Sequence, residues 1–294
     1  MYSPSFFYKS LIFSLSFFLA TIGFAETFIL PDKGLLIGEQ RWVYPEANDN
    51  LISLGYRYNI GSNEVRLANP HINSKSILPL NLSILLPTQH ILPKEAKEGI
   101  VINLAEYRLY YYPHGDNTVI SMPVGIGRKG WNTPVGRTSI VSKEQNPIWR
   151  PSKKLQYEGE LKGQIIPDEF PANEANPLGK YVLRLGFSSY LIHGSNRYAG
   201  VGERASAGCI RLLPDDIEYL YQLVLKGTKV LIIDEPLKLS INGAEVYIQV
   251  YPIINKNKGY SVSLLNKIKA IKNINKKLLE RELVNPSGLV RRIS

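Results

Sequence analysis

One histidine and the chain's single cysteine stand sixteen residues apart, at His193 and Cys209 (209 − 193 = 16). They lie near the ends of Ile192 to Leu212, read as I-H-G-S-N-R-Y-A-G-V-G-E-R-A-S-A-G-C-I-R-L. The Gly, Ser, Asn and Arg between them are the composition of an ordered functional loop rather than a core strand. A thiol attacks a carbonyl as thiolate, and a neighbouring imidazole is a common way to remove its proton. The same pair also suits a plain core, with Cys209 as a small buried hydrophobe and His193 as a satisfied histidine.

The rest of the chain shifts that balance. Residues 1–25 carry one early positive charge, Lys9, then an apolar run, Leu11–Ala20, and small residues Gly23 and Ala25. This is the pattern of a secretory signal peptide cut after Ala25, with an uncleaved membrane anchor as the other reading. No cysteine lies near the cut, which excludes a lipid-anchored lipoprotein, and no second membrane-spanning run follows. The expected fate is export. An exported chain with one cysteine has no partner for an internal disulfide, and a free thiol there is open to oxidation. Cys209 is therefore expected to serve chemistry.

The 294 residues are 44% hydrophobic and 20% charged, enough for a real core, and carry a net charge of +10. No nucleic-acid motif accompanies that charge, so no nucleic-acid partner is expected. An acidic polymer or an anionic membrane face suits it. No His/Asp/Glu cluster has metal-ligand spacing, so neither metal nor cofactor is expected. His71, His90 and His114 fall in turn or linker contexts and read as solvated.

The stretch from Thr27 to Arg41 suggests a short turn. Leu51, Leu54, Tyr58, Val65 and Leu67 recur at helical spacing, broken by Gly61 into two short helices that Asn69-Pro70 ends. A β-rich run follows, Ile77 to Pro87, then a polar linker, His90 to Glu98. From Gly99 the texture is strands: Gly99–Pro113, a turn at His114–Asn117, Thr118–Gly127, Thr133–Lys143, Lys180–Leu185, Tyr190–His193 and Lys229–Asp234. A Pro- and Asn-rich excursion, Asn146 to Gly179, interrupts them. One helix opens at Leu213–Ile217 with Asp215 as its expected cap. The tail offers a strand, Glu245–Tyr251, and one basic amphipathic helix, Leu264–Leu283, facing either the protein's own surface or a membrane or acidic partner. The expected fold is mainly β, a sandwich or barrel with one helix.

Two resemblances attach to these residues. Leu51, Leu54, Gly55, Tyr58, Leu67, Ala68, Asn69, Pro70, Leu85, Leu86 and Pro87 resemble the helix–helix–strand pattern of LysM modules, which implies affinity for N-acetylglucosamine-containing glycans. His193-Gly194 followed by Ser206-Ala207-Gly208-Cys209-Ile210-Arg211 resembles the signature of the L,D-transpeptidase catalytic domain, the YkuD-type fold. Thr133–Arg137, Pro147–Trp149 and Asn176–Tyr181 support it. The order of parts looks like the periplasmic ErfK/YbiS/YcfS/YnhG group of Gram-negative bacteria. The implied layout is a signal peptide over 1–25, a small α+β LysM-like module over 36–90, the catalytic domain over 98–234 and a basic C-terminal extension with a helix over 235–294.

That resemblance implies the chemistry. Cys209 attacks the bond before the D-Ala fourth residue of peptidoglycan tetrapeptide stems and forms a thioester. An amine then resolves it, on an outer-membrane lipoprotein lysine or a neighbouring diaminopimelate. His193 is the base and Gly194 offers its carbonyl to the imidazole. Many members have a second histidine where Ala207 stands, so His193 serves alone. Backbone N–H groups near Gly208 and Cys209 are candidates for the oxyanion hole. Arg211 binds a substrate carboxylate or braces the loop, and Ser206 hydrogen-bonds the loop. A hydrolase using water, or a glycan binder with an idle catalytic domain, are the other functional classes. A papain-like hydrolase is disfavoured because its cysteine precedes its histidine.

Overall fold

The computed structural model describes residues 25–94, 98–196 and 198–255 together with Lys97 and 258–294. The expected signal peptide, save Ala25, lies outside the described residues.

The N-terminal unit holds β1 (Glu26–Ile29), β2 (Leu36–Ile37), β3 (Arg41–Val43), α1 (Leu51–Arg57), α2 (Ser62–Ala68), β4 (Ile84–Leu86) and β5 (His90–Ile91). Asn50 caps α1, its Oδ1 accepting the N–H groups of Ile52 and Ser53 at 2.9 Å each. Gly61 separates the two helices by serving as N-cap of α2. Leu51, Leu54 and Val65 from the helices meet Ile84 and Leu86 in one buried cluster. Asn69 ties this together: its Nδ2 donates to the carbonyls of Val65 and Leu85, 2.8 Å each, and its Oδ1 accepts the Leu85 N–H at 3.1 Å. The β-run expected over Ile77–Pro87 is thus confined to Ile84–Leu86.

The middle of the chain contributes β6 (Gly99–Asn103), β7 (Arg108–Tyr112), β8 (Thr118–Pro123), β9 (Ile126–Gly127), β10 (Gly136–Gln145), α3 (Lys153–Glu160), β11 (Tyr181–Leu185), β12 (Leu191–His193), β13 (Arg204–Ser206), β14 (Ile210–Arg211), α4 (Pro214–Leu223) and β15 (Lys229–Ile233). Nine strands form one curled sheet in the order β1-β8-β7-β6-β15-β10-β11-β12-β14. The mainly-β expectation holds, with corrections. Gly99–Pro113 is two strands, turned by Tyr107 in the left-handed region at φ 56. The Thr27–Arg41 stretch is more than a turn, because β1 pairs with β8 as the edge of the main sheet. Among its described residues the domain has two helices, not one: Ser152 caps α3 inside the Pro-rich excursion. Helix α4 takes Leu213 as N-cap with Pro214 at its first position, so Asp215 lies inside the first turn instead of capping it.

The C-terminal segment forms β16 (Leu237–Asn242), β17 (Glu245–Val250), α5 (Val262–Lys269), α6 (Lys276–Val284) and β18 (Val290–Arg292). The single helix expected over 264–283 is two, interrupted at Asn273 with φ 62. Their apolar faces pack on the sheet β16-β17-β18 through Ile248, Ile268 and Leu279. No helix among the described residues is long and apolar enough to cross a membrane.

Buried polar contacts join the three units. Arg108 of β7 makes a two-pronged ion pair with Glu64 of α2, at 3.1 and 2.6 Å. Lys238 of β16 reaches Glu106 at 2.5 Å, where Tyr110 also donates at 3.0 Å. His90, expected to be solvated in a linker, is 1% exposed: β5 pairs with β2, and the ring lies edge-on to Tyr110. Burial and the nearby Arg108 and Lys238 hold its pKa well below the ordinary value.

Candidate active site

The site is built where two short strands run parallel. Ile192 pairs with Ile210 and His193 with Arg211. Side chains alternate along a strand, and residues opposite each other share a face. Ile192 and Ile210 enter the main core with Leu183 and Leu185. His193 and Leu191 therefore take the other face, together with Arg211 and, one step before β14, Cys209. That face carries a smaller apolar cluster of Leu178, Val182 and Leu191, against which Cys209 and Trp149 pack. The sixteen-residue separation in sequence becomes adjacency across one ladder.

The turn that presents Cys209 is held by named bonds. Gly208 has φ +106, and a Cβ there would come 2.9 Å from the Tyr190 ring, so only glycine fits without a shift. Ser206 Oγ accepts the Gly208 N–H at 3.1 Å and donates to the Cys209 carbonyl at 2.6 Å. Thr133 Oγ1 donates to the Gly208 carbonyl at 2.8 Å and accepts the Gly127 N–H at 3.0 Å. Ser206 Oγ thus engages the Gly208 N–H, one of the N–H groups the sequence offers near Cys209.

His193 is 4% exposed. Its Nδ1 lies 2.6 Å from the carbonyl oxygen of Gly194. A carbonyl only accepts, so Nδ1 carries the proton and Nε2 keeps its lone pair. Burial pushes the imidazole pKa down to about 4; the Arg211 charge adds to this, and the Gly194 and Leu178 carbonyls oppose it. Burial also raises the Cys209 thiol, against smaller opposing effects of the Leu191 backbone and Arg211. Both shifts favour the neutral thiol and the neutral imidazole.

Arg211 turns along the preceding loop. Its main chain bridges to Gly125 in both directions, at 2.8 and 2.9 Å, and its Nη1 donates to Ala199 O at 3.4 Å. A Cβ on Gly200, at φ +95, would sit 2.6 Å from that Nη1. The same loop meets the N-terminal unit. Asn63 N donates to Gly202 O at 3.2 Å and Ser62 Oγ to Glu203 Oε1 at 3.0 Å.

The supporting sequence pieces gather around this face. Asn176 Nδ2 donates to the Pro147 carbonyl at 2.8 Å and its Oδ1 accepts the Leu178 N–H at 2.9 Å, which seats Trp149 and Leu178 beside Cys209. Glu158 of α3 accepts from Arg128 at 2.7 Å and Trp131 at 2.8 Å, tethering the excursion to the segment before Thr133. Thr133, Tyr190 and Leu191 had no assigned role in the sequence reading; only Thr133 lay in a motif that could have pointed to it. A cleft of about 400 Å³ opens beside Gly194, lined by Glu174, Lys180, Tyr181, Ser195, Asp215 and Glu218 among others.

Residues 97–232 match the family model of the YkuD L,D-transpeptidase catalytic domain. The chain is 40% identical to the probable L,D-transpeptidase YbiS of Escherichia coli over 243 residues, covering 79% of this chain and 78% of that protein. It is 39% identical to the probable L,D-transpeptidase ErfK/SrfK of Salmonella typhimurium, covering 80% and 77%. The probable L,D-transpeptidase YcfS of Escherichia coli is 39% identical, with 83% and 78% covered.

Proposed function

The chain belongs to the L,D-transpeptidase family, and we propose that it acts through Cys209 on the tetrapeptide stems of peptidoglycan. The observation that carries this reading is the shared face of Cys209 and His193, with Nδ1 of the ring engaged by Gly194 and Nε2 left as the base.

The steps follow from the neutral resting pair. As Sγ of Cys209 bonds to the carbonyl carbon before D-Ala, its proton passes to Nε2 of His193. Positive charge then develops on the ring where the Gly194 and Leu178 carbonyls stabilise it, and negative charge on the substrate oxygen where the Cys209 N–H is the proposed donor. The imidazolium returns its proton to the departing D-Ala amine, and a thioester remains. The neutral form of an acceptor amine attacks the thioester, the C–S bond breaks, and the amine's proton passes through His193 to Sγ of Cys209, which restores the thiol. Arg211 braces the Tyr198–Glu203 loop and Ser206 holds the turn, while Gly208 supplies backbone room.

The acceptor is an amine: the terminal lysine of an outer-membrane lipoprotein or the side chain of a neighbouring diaminopimelate. Glu174, Asp215 and Glu218 beside Gly194 favour a cationic acceptor over water, the acceptor of the hydrolytic alternative. The helix–helix–strand unit before the catalytic domain is proposed as a LysM-type glycan module, and the working compartment as the periplasm after removal of residues 1–25.

Purified protein with tetrapeptide muropeptides, with and without an amine acceptor, tests this by mass spectrometry. D-Ala release with a new amide is expected. Release with water addition alone supports hydrolysis, and no turnover leaves only the glycan-binding reading.

A further inference from the structure

Behind the catalytic strands lies a buried carboxyl that the reaction does not use. Asp216, in the first turn of α4, is 1% exposed and faces Asn59 of the N-terminal unit, 4% exposed. Asn59 Nδ2 donates to Asp216 Oδ1 at 3.0 Å. The remaining oxygens of both side chains, Asp216 Oδ2 and Asn59 Oδ1, have no hydrogen-bond partner among the described residues. Two buried acceptors without donors are costly, and they call for a group rich in N–H. Burial raises the Asp216 carboxyl to about 8; Asp215 adds to that, while Asn59, Arg108 and the Ala25 backbone N–H oppose it. Arg108 is not that missing donor, because its guanidinium holds Glu64 and Ser121.

The Ala25 backbone N–H lies near enough to this carboxyl to lower its pKa, and the Ala25 side chain packs on the main core just before β1. Ala25 is also where the sequence expects the leader to end. Hydrolysis of the Ala25–Glu26 bond adds water across it: the leader leaves with a carboxylate, and Glu26 keeps an amine that takes up a proton. That ammonium forms one residue, about 3.8 Å along the chain, from the nitrogen now near Asp216. We propose that Asp216 and Asn59 form the receptor for the N-terminal ammonium of the processed chain.

The site is placed to matter. It joins the start of β1, the turn between α1 and α2, and the first turn of α4. The next residue of α4, Ile217, packs on Gly194, where an added Cβ would come 2.9 Å from Ile217 Cγ2. Processing would thus set α4 against the carbonyl that holds His193. The proposal rests on the leader reading and not on the identity of the substrate.

The N-terminal mass of the exported protein is read first; a chain that begins anywhere but Glu26 overturns the proposal. Chains starting at Glu26 and at Gly-Ser-Glu26 are then compared, each with and without Asp216→Asn. The Glu26 chain is expected to melt about 3 °C or more above the extended one, with the difference lost in Asp216→Asn. Its α-amine is expected to react with an amine-directed ester at pH 7 about tenfold slower than that of the extended chain, a reading that needs no variant. Equal melting and equal labelling overturn the proposal. So does an Asp216→Asn substitution that is neutral in both chains, which would mean that a shared proton in a carboxylic acid–amide pair satisfies the two oxygens. Acylation of Cys209, followed in the same samples, reports separately on the catalytic reading.

Discussion

The Nδ1–H of His193 is given to the carbonyl of Gly194, its own next residue, at 2.6 Å. The group that orients the base is thus main chain, carries no charge, and cannot be removed by a side-chain substitution. A carboxylate in that place would hold the imidazole basic; a carbonyl in a buried site does not, and the ring sits near 4. Acylation of Cys209 should therefore keep its rate down to about pH 5 and fall only as pH approaches 4. A carbapenem that acylates the thiol serves as the probe, and an acid limb centred at the ordinary histidine value would contradict the site. The stability sign follows. Between pH 6.5 and 4 the unfolded chain binds the proton and the folded chain does not, so His193 contributes about 3 kcal/mol above 6.5 that is lost as pH falls to 4. Denaturant melts across that range check it.

Thr133 is a positioning residue for the turn. Thr133→Val keeps the shape but leaves the Gly208 carbonyl and the Gly127 N–H without their partner. A loss of about 1–3 kcal/mol in stability is expected, with acylation slowed about tenfold. Thr133→Ser should restore the acylation rate, which a change in stability alone would not.

Gly202 interlocks the N-terminal unit with the loop that Arg211 braces. It has φ +78, and an added Cβ would stand 2.4 Å from Ser62 N and 2.5 Å from Gly61 Cα. Gly202→Ala should separate the two units and lower kcat of the catalytic step without touching Cys209 or His193. Gly115→Ala is the control: its φ of +77 is comparable, but nothing lies within 4 Å of the added atom. The control should cost about 1 kcal/mol of backbone strain and leave the rate unchanged.

Glu64→Gln removes the partner of a buried arginine. Both side chains are almost wholly buried, at 3% for Arg108 and 1% for Glu64. An uncompensated charge of this kind costs about 3–5 kcal/mol. Glu98→Gln, breaking the exposed pair with Lys229, should cost under about 1 kcal/mol. Paired urea melts measure both.

What the sequence made legible and what it hid divide along physical lines. The placement of Cys209 and His193 on neighbouring strands was readable because strand-like spacing on both sides implied a sheet. The helix pair before Asn69-Pro70 was readable because its caps are local: Asn50, Gly61 and Asn69 act within a few residues. His90 was misread because its burial comes from the pairing of β5 with β2 and from Tyr110, all outside its own segment. The break at Asn273 was missed because a left-handed residue interrupts an apolar periodicity that continues past it. The engagement of the Gly208 N–H depends on one Ser206 rotamer, which no pattern encodes. The C-terminal helices looked like a basic tail, since only the fold supplies the sheet that covers their apolar faces.

Cys209 is the residue proposed to carry the acyl group. Intact protein incubated with a tetrapeptide stem and quenched in acid should gain the mass of the stem less D-Ala, and peptide mapping should place it on Cys209. Cys209→Ala should show no adduct and lose at least about a thousandfold in D-Ala release. An adduct on another residue, or a Cys209→Ala variant that still releases D-Ala at the native rate, would contradict Cys209 as the nucleophile.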